Sequence, residues 1–197
     1  LPSHMVYTAK FTSDTPKRFL KPKARLVAGG NFEPAPDDVF ENFSPTAGPG
    51  LNRLMDAYCT YRGFMVWTTD CTQAFLNAIT GDKDIFVRPP PGIYGIPHYY
   101  CFKLNKYLYG LCSAPKAWMD TLCDELKGMG FVPFDTDPCL LRLVVPSDDG
   151  SEAKEVIAEI FVDDIKWGFN DMDLAKKVIT QLGSKYKTTV GKVAVNS

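Results

Sequence analysis

The feature that most constrains this chain is a pair of adjacent carboxylates between two apolar runs. Asp163 and Asp164 directly follow the run 157–162 and directly precede the run 165–169, and both runs have strand-like composition. Two such runs in succession predict a β-hairpin whose tight turn holds both carboxylates. A rigid hairpin tip is a good place to hold Mg²⁺, because hard cations prefer oxygen ligands. Asp is also a common turn residue, so this pair alone leaves a purely structural role open.

A third carboxylate, Asp70, ends another strand-like run at residues 64–69 and precedes the apolar, helix-compatible stretch 71–76. If the two strands are neighbours in one sheet, Asp70 can face Asp163 and Asp164 across it. Two metal ions about 4 Å apart, clamped by shared carboxylates, support in-line phosphoryl displacement. The alternative for Asp70 alone is a helix N-cap.

Periodicity along the chain predicts an α+β fold. Apolar residues at helical spacing predict three helices, at about 51–62, 114–129 and 172–186. Strand-like runs lie near 64–70, 84–88, 99–104, 139–145 and 155–162. The first helix is expected to bury one apolar stripe, formed by Leu51, Leu54, Met55, Tyr58 and Cys59. We expect an antiparallel sheet of few strands with the helices packed on one side.

Composition and charge bound the class of protein. The chain has 197 residues, is 45% hydrophobic and 23% charged, and has a net charge of −1, which is an ordinary globular composition. Residues 1–30 nevertheless carry six basic side chains against Asp14 alone, and such a local basic lobe can contact phosphates. We set residues 1–20 apart as a cloning remnant followed by a charged arm. Residues 21–197 are then the functional domain.

The cysteines and histidines give little sign of a metal or disulfide framework. No two of the six cysteines form a C-x-x-C pair, and His4 and His98 are far apart in the sequence. This pattern favours a reducing, intracellular compartment over a secreted one. No apolar run approaches the length of a membrane span, so we expect no membrane partner.

Six short motifs follow one another in a specific order. They are Lys23–Ala28, Glu41–Pro45, Asp70–Asn77, Arg88–Gly92, Leu108–Leu111 with Ala114–Trp118, and Phe161–Asp164. Together they resemble the ordered motifs of Ty1/copia-type retrotransposon reverse transcriptases, over about residues 21–190. The resemblance implies a right-hand polymerase fold, with an antiparallel palm sheet and a fingers subdomain. Because the resemblance covers nearly the whole chain, we expect the thumb and RNase H regions of the family to be absent from it.

The resemblance also implies a reaction and its metal ligands. The chain would be an RNA-directed DNA polymerase that adds deoxynucleotides to a primer 3′-hydroxyl with Mg²⁺, or Mn²⁺, by two-metal catalysis. Asp70 and Asp163 would ligate both metals, Asp164 would assist, and the Cys71 carbonyl would be an extra ligand. The implied partners are an RNA or DNA template with its primer, deoxynucleoside triphosphates, and a larger polyprotein that carries integrase and RNase H. The implied location is the cytoplasm, a virus-like particle or the nucleus.

Six residues match nucleotide-binding positions of the family, and Cys71, named above as a metal ligand, is one of them. Lys23 and Arg25 alternate on one strand face, which would meet the incoming triphosphate. Phe75 would lie under the sugar as a steric gate against a 2′-hydroxyl, with an ordinary core aromatic as the alternative. Tyr109 and Gly110 would line the nucleotide pocket and template strand, with a structural Tyr-Gly turn as the alternative.

Some positions depart from the family pattern. Cys112–Ser113 stands where the family usually has Lys-Gln, Phe161 where it has Tyr, and Met119 where a Tyr follows the Trp. Loss of a lysine near the template would weaken phosphate contact. A non-catalytic or domesticated relative that binds nucleic acid or assembles with partners therefore stays open as an alternative function. An unrelated metal-dependent phosphotransferase is a remoter one, because the chain has no glycine-rich phosphate loop.

Overall fold

The computed structural model describes residues 1–34, 42–93, 95–97, 99–147 and 150–193. Glu41, the first residue of the second motif, and His98 lie outside these ranges. The chain divides into two compact units, which are treated separately below. The first comprises Leu1–Phe43 and Phe75–Ala117, and the second comprises Ser44–Ala74 and Trp118–Ser197.

Within the described ranges the chain forms ten strands and three α-helices. In chain order they are β1 (Ser3–Phe11), β2 (Phe19–Ala28), α1 (Pro49–Arg62), β3 (Met65–Cys71), β4 (Phe86–Val87), β5 (Phe102–Lys103), α2 (Ala114–Gly128), β6 (Val132–Phe134), β7 (Asp137–Val145), β8 (Lys154–Phe161), β9 (Asp164–Phe169), α3 (Met172–Lys185) and β10 (Thr188–Val193). Short 3₁₀ turns occur at Gly30–Phe32 and Ala74–Asn77. The α+β class is confirmed.

The first unit is built on the antiparallel hairpin of β1 and β2, which pairs Ser3 with Ala28 and Phe11 with Phe19. Strand β1 therefore lies in the segment that the sequence analysis set apart. Its start is tied down further, because Ser3 Oγ donates a hydrogen bond of 2.5 Å to the Arg88 carbonyl. The runs expected near 84–88 and 99–104 are reduced to the two-residue pair β4 and β5.

The second unit is a six-stranded antiparallel sheet in the order β10-β3-β9-β8-β7-β6. Six consecutive residues of β8, from Glu155 to Ile160, are buried, so both faces of the sheet centre are covered. Helix α1 packs on one face, where a Cβ added to Gly168 would lie 2.4 Å from Cys59 Sγ. On the opposite face Trp167 is fully buried, and its ring lies 6.3 Å from that of Phe131.

Both faces of the sheet centre are therefore covered, with helix α1 on one of them. Strand β8 is buried at both alternating sets of positions, with Val156, Ala158 and Ile160 on one face and Ile157 between two glutamates on the other, as in a strand covered on both faces. The predicted apolar stripe of α1 is wrong at one position, because Leu54 is 63% exposed while Met55 and Cys59 are buried. The helix contacts the sheet through a narrower stripe than its apolar residues alone indicate.

Strand β8 carries two buried glutamates, of which one accepts several hydrogen bonds and the other has no partner among the described residues. Glu155 accepts hydrogen bonds from Arg142 Nε at 2.6 Å and from the Tyr58 hydroxyl at 3.4 Å, and Arg62 Nη1 lies 3.9 Å away. Glu159 is 2% exposed, and neither of its carboxylate oxygens has a hydrogen-bond partner among the described residues. Burial raises the pKa of Glu159, the positive charge of Lys166 opposes this rise, and the negative charges of Asp56 and Asp137 add to it.

These surroundings predict opposite effects of the same substitution. Glu155→Gln should lower the free energy of unfolding by about 1–3 kcal/mol, because it leaves Arg142 without its charged partner. Glu159→Gln should leave that free energy unchanged or raise it, because an unpaired buried carboxylate is costly. Urea denaturation of both variants at neutral pH measures the difference, and equal destabilisation would contradict the assignment.

The pH dependence follows from the raised pKa of Glu159. The folded state holds this proton more tightly than the unfolded state, whose pKa is near the ordinary 4.5. Protonation of this carboxyl group therefore contributes stability that is fully present below that pH and is lost as the pH rises from there through the folded pKa. The advantage of Glu159→Gln over the parent should vanish in acid and grow as the pH rises above 4.5.

Candidate active site

The turn between β8 and β9 is as tight as the sequence predicts. Phe161 pairs with Asp164, so Val162 and Asp163 are the two central residues. The hairpin is confirmed, but Asp164 is the first residue of β9 rather than part of the turn. Val162 has a φ of +56°, which a II′ hairpin turn requires at its first central position. A β-branched residue is strained there, so the surrounding structure must hold the turn in place.

Strand pairing brings the third carboxylate to the same end of the sheet. Asp70 lies directly opposite Asp164 in the register of β3 and β9, and the Cys71 N–H donates a hydrogen bond of 2.7 Å to the Asp163 carbonyl. On its other side Asp70 faces Thr189 of β10, whose hydroxyl lies 3.5 Å from Asp70 Oδ2. Asp70 is thus a strand residue, and the helix N-cap alternative is wrong.

The carboxylates influence one another electrostatically. Burial raises the pKa of Asp164, and the negative charges of Asp163 and Asp70 raise it further. Burial, followed by the charges of the same three carboxylates, raises the pKa of the Cys71 thiol to about 12. The thiol is therefore neutral at physiological pH, and only the main-chain carbonyl of Cys71 can serve as a ligand for a hard cation.

This donor set fits a divalent cation in its chemistry. It offers carboxylate oxygens, which Mg²⁺ and Mn²⁺ prefer, and the mutual repulsion that raises the pKa of Asp164 is the kind that a bound cation relieves. Within the ranges that the structure covers, no group of three or more Asp, Glu, His or Cys side chains is arranged so that it could hold a metal ion. The fit thus rests on donor type and local charge.

The turn is anchored by the tryptophan that ends the fifth sequence motif. Trp118, near the start of α2, is 1% exposed, and its indole N–H donates a hydrogen bond of 2.8 Å to the Val162 carbonyl. Its ring also packs edge-on against Tyr186 at a centroid distance of 5.3 Å. The tryptophan belongs to the motif Ala114–Trp118, but nothing in the local pattern indicates a hydrogen bond 44 residues away.

We predict that Trp118→Phe loosens the turn specifically. The variant keeps an aromatic ring and loses the indole donor, which should cost about 1–3 kcal/mol of unfolding free energy. The Cys71 amide proton, bonded to Asp163, should exchange faster with solvent. Trp167→Phe is the matched control, since it removes a buried indole that donates to Thr69 Oγ1 at 2.9 Å instead. Equal acceleration of Cys71 exchange in both variants would refute the anchoring role.

The first unit gathers most of the predicted nucleotide-binding residues. The Arg25 guanidinium carbon lies 5.9 Å from the centroid of the Tyr109 ring, and the rings of Tyr109 and Phe75 are 4.9 Å apart. Lys23 is half-buried, as is Arg25 two positions along the same face of β2. Phe75 and Tyr109 are also half-buried, so neither is a fully enclosed core aromatic.

Gly110 has a steric reason to be glycine. Its φ is +91°, and an added Cβ would lie 2.2 Å from the Ala28 carbonyl oxygen. Close approach is needed because the Ala28 N–H donates a hydrogen bond of 2.8 Å to the Tyr109 carbonyl, which ties this segment to the end of β2. This close packing against β2 supports the alternative that the Tyr109–Gly110 turn has a structural role.

Cys112 and Ser113, which depart from the family pattern, both form hydrogen bonds with one glutamate. The Cys112 N–H donates a hydrogen bond of 2.7 Å to Glu33 Oε2, and the Ser113 hydroxyl bonds the other carboxylate oxygen. Glu33 thus accepts bonds at the start of α2. No local sequence pattern indicates this contact, because the two segments are 79 residues apart.

Comparison with known proteins shows the family of this chain. The family model "Reverse transcriptase (RNA-dependent DNA polymerase)" matches residues 1–194, so the match includes the segment before residue 21. The chain belongs to this family of nucleotidyltransferases, and within it to the Ty1/copia type.

The Ty1/copia type is assigned from the similarity of this chain to three plant relatives. The chain is 32% identical over 196 residues to the retrovirus-related Pol polyprotein from transposon RE1 of Arabidopsis thaliana, covering 94% of this chain. It is 31% identical to the RE2 polyprotein of the same plant and 28% identical to the TNT 1-94 polyprotein of Nicotiana tabacum, covering 92% and 90% of this chain. The chain spans only 12–13% of the length of these relatives. Among the residues described, no helix is long and apolar enough to cross a membrane.

Proposed function

We propose that this chain carries the polymerase centre of a retrotransposon reverse transcriptase and adds deoxynucleotides to a primer 3′-hydroxyl on an RNA or DNA template. The observation that supports this most directly is the register of β3 and β9, which sets Asp70 opposite Asp164 with Asp163 in the adjoining turn. Three carboxylates, two on paired strands and one in the turn that adjoins them, are the protein part that a two-metal phosphoryl-transfer site needs.

The three carboxylates have distinct roles in this proposal. Asp70 and Asp163 hold the divalent ions, and Asp164, whose pKa is raised, completes the negative site. The Cys71 carbonyl is a further oxygen donor. Bound Mg²⁺ or Mn²⁺ would lower the pKa of the primer hydroxyl and offset the charge on the leaving pyrophosphate.

The nucleotide is assigned to residues of the first unit. Arg25 and Lys23 contact the triphosphate through charge-assisted hydrogen bonds. Phe75 excludes a 2′-hydroxyl by its bulk, which requires a rigidly held ring, and the contact with Tyr109 supplies one such restraint. Tyr109 and Gly110 line the nucleotide pocket and the template strand. The larger polyprotein context is proposed from the relatives named above, and its integrase and RNase H parts are proposed from the family resemblance.

Primer extension on an RNA template tests this proposal. The chain should extend a primer with Mg²⁺ or Mn²⁺, and Asp163→Asn should reduce extension by at least about a hundredfold, because metal-bound charge stabilisation is worth several kcal/mol. The control is Asp173→Asn, which changes an exposed carboxylate in the first turn of α3. Equal extension by Asp163→Asn and the parent would refute the assignment, provided that both show the same thermal unfolding transition. A folded parent without activity with either ion would favour a non-catalytic nucleic-acid-binding module.

A second prediction concerns sugar selection. Phe75→Val should open space beneath the sugar and lower the preference for deoxynucleotides over ribonucleotides. Phe86→Val is the matched control, because Phe86 is an exposed aromatic of the same unit. If Phe75→Val remains active with the parental ratio of deoxy to ribo incorporation, Phe75 acts only in packing.

A further inference from the structure

The outer half of the β1–β2 hairpin carries three exposed aromatic side chains that have no part in the function proposed above. Tyr7, Phe11 and Phe19 are 74%, 53% and 59% exposed. Tyr7 and Phe11 are four residues apart on β1 and therefore lie on one face, and Phe19 pairs with Phe11 across the hairpin. The rings of Phe11 and Phe19 meet edge-on at a centroid distance of 6.1 Å. Exposed apolar groups gathered in one patch indicate an interaction surface.

The same end of the hairpin concentrates positive charge. Lys10 and Lys21 lie directly opposite each other in the register of β1 and β2, and like charges in such a pair repel. Both lysines are exposed, and neither has an ion-pair partner among the described residues. Lys17 and Arg18 in the connecting segment add further positive charge, against Asp14 alone. A bound anion would relieve this repulsion.

The base of the hairpin, in contrast, is used for packing in the first unit. Ser3 and Ala28 are buried there, and the Ser3 hydroxyl donates to the Arg88 carbonyl. In the outer half, every residue of 7–11 and of 19–22 is exposed. The aromatic and basic side chains of the outer half therefore contribute little to the core of this unit, and a ligand is the better explanation for them.

Aromatic rings beside unpaired cations are the features with which proteins bind single-stranded nucleic acid. Bases stack on exposed rings without sequence preference, while lysine and arginine contact the phosphates. Lys10 precedes Phe11 and Arg18 precedes Phe19, so each ring has a cation next to it in the chain. The whole chain has a net charge of −1, so this positive charge is a local feature that complements a polyanion.

We propose that the outer half of the β1–β2 hairpin binds an unpaired RNA strand, with bases stacked on Phe11 and Phe19 and phosphates held by Lys10 and Lys21. RNA is the polymer named in the description of the matched family. The site takes the strand without a primer, a nucleotide or a metal ion, and it differs from the Tyr109–Gly110 segment assigned to the template above. Binding here is thus independent of the three carboxylates and goes beyond the polymerase function proposed above.

Fluorescence anisotropy of a labelled oligouridylate, with EDTA and without primer, tests this proposal on the full chain. The parent should bind saturably. Phe11→Leu should weaken binding about tenfold, because a base loses its stacking partner while the side chain stays apolar. Phe86→Leu changes an exposed aromatic of the same unit and is the control, which should bind as the parent does. Phe19→Leu gives an independent measurement if Phe11→Leu does not fold, and parental affinity in the folded variant would overturn the stacking role.

Salt dependence tests the phosphate contacts separately. Lys10→Gln and Lys21→Gln should each reduce the slope of log affinity against log salt concentration by about 0.7, the contribution of one phosphate of a single strand. Lys106→Gln, at an exposed lysine of the same unit, should leave the slope unchanged. A parental slope in both hairpin variants would overturn the assignment of the phosphates.

Further arms separate this site from other occupants and from the polymerase centre. Double-stranded RNA should bind more weakly than oligouridylate, because its paired bases are not free to stack on protein rings. Tighter binding of the duplex, of oligodeoxythymidylate or of phosphatidylserine vesicles would overturn the choice of an unpaired RNA strand. Asp163→Asn should bind oligouridylate as the parent does. A parent that binds RNA through Phe11 but extends no primer refutes only the polymerase proposal, whereas a parent that extends a primer but binds RNA no better than Phe11→Leu refutes only the hairpin site.

Discussion

The register between β3 and β9 is the constraint on which the candidate site depends. Side chains alternate along a strand, so a slip by one residue would turn Asp70 to the other face of the sheet. The register is fixed deep in the sheet, where Trp67 pairs with Trp167 and the Trp167 indole donates to the buried Thr69 hydroxyl. On the other face Gly168 allows Met55 and Cys59 of α1 to approach closely. The carboxylates thus take their positions from apolar packing several residues away.

What could be read from the sequence was local. The β8–β9 hairpin, the strand that ends near Asp70 and the boundaries of the helices follow from short patterns of apolar and turn residues, and the structure agrees with them. The order of the sheet could not be derived, because it joins β10, β3 and β9 across long stretches of chain. The same limit explains the error on Leu54, since periodicity identifies an apolar stripe but not how much of it the partner surface covers.

The candidate site likewise combines residues that local sequence patterns identify with supporting contacts that they do not. Asp70, Asp163 and Asp164 were identifiable because each ends or begins a strand-like run. The support for them was not identifiable, because it consists of single hydrogen bonds between distant segments, such as Trp118 to Val162 and Cys112 to Glu33. Glu159 was missed for a different reason. A glutamate inside an apolar run shows that a charge is buried, but only the fold shows whether a partner meets it.

The two central peptides of the β8–β9 turn are both restrained through their carbonyl oxygens. Val162 accepts from the Trp118 indole, and Asp163 accepts from the Cys71 amide. A hairpin tip is ordinarily among the freest parts of a sheet, and ordering it upon ligand binding would cost conformational entropy. Here that ordering is completed when the chain folds. The Asp163 carboxylate therefore projects from a pre-organised main chain, and a cation bound as in the proposed function would have only side-chain torsions left to fix.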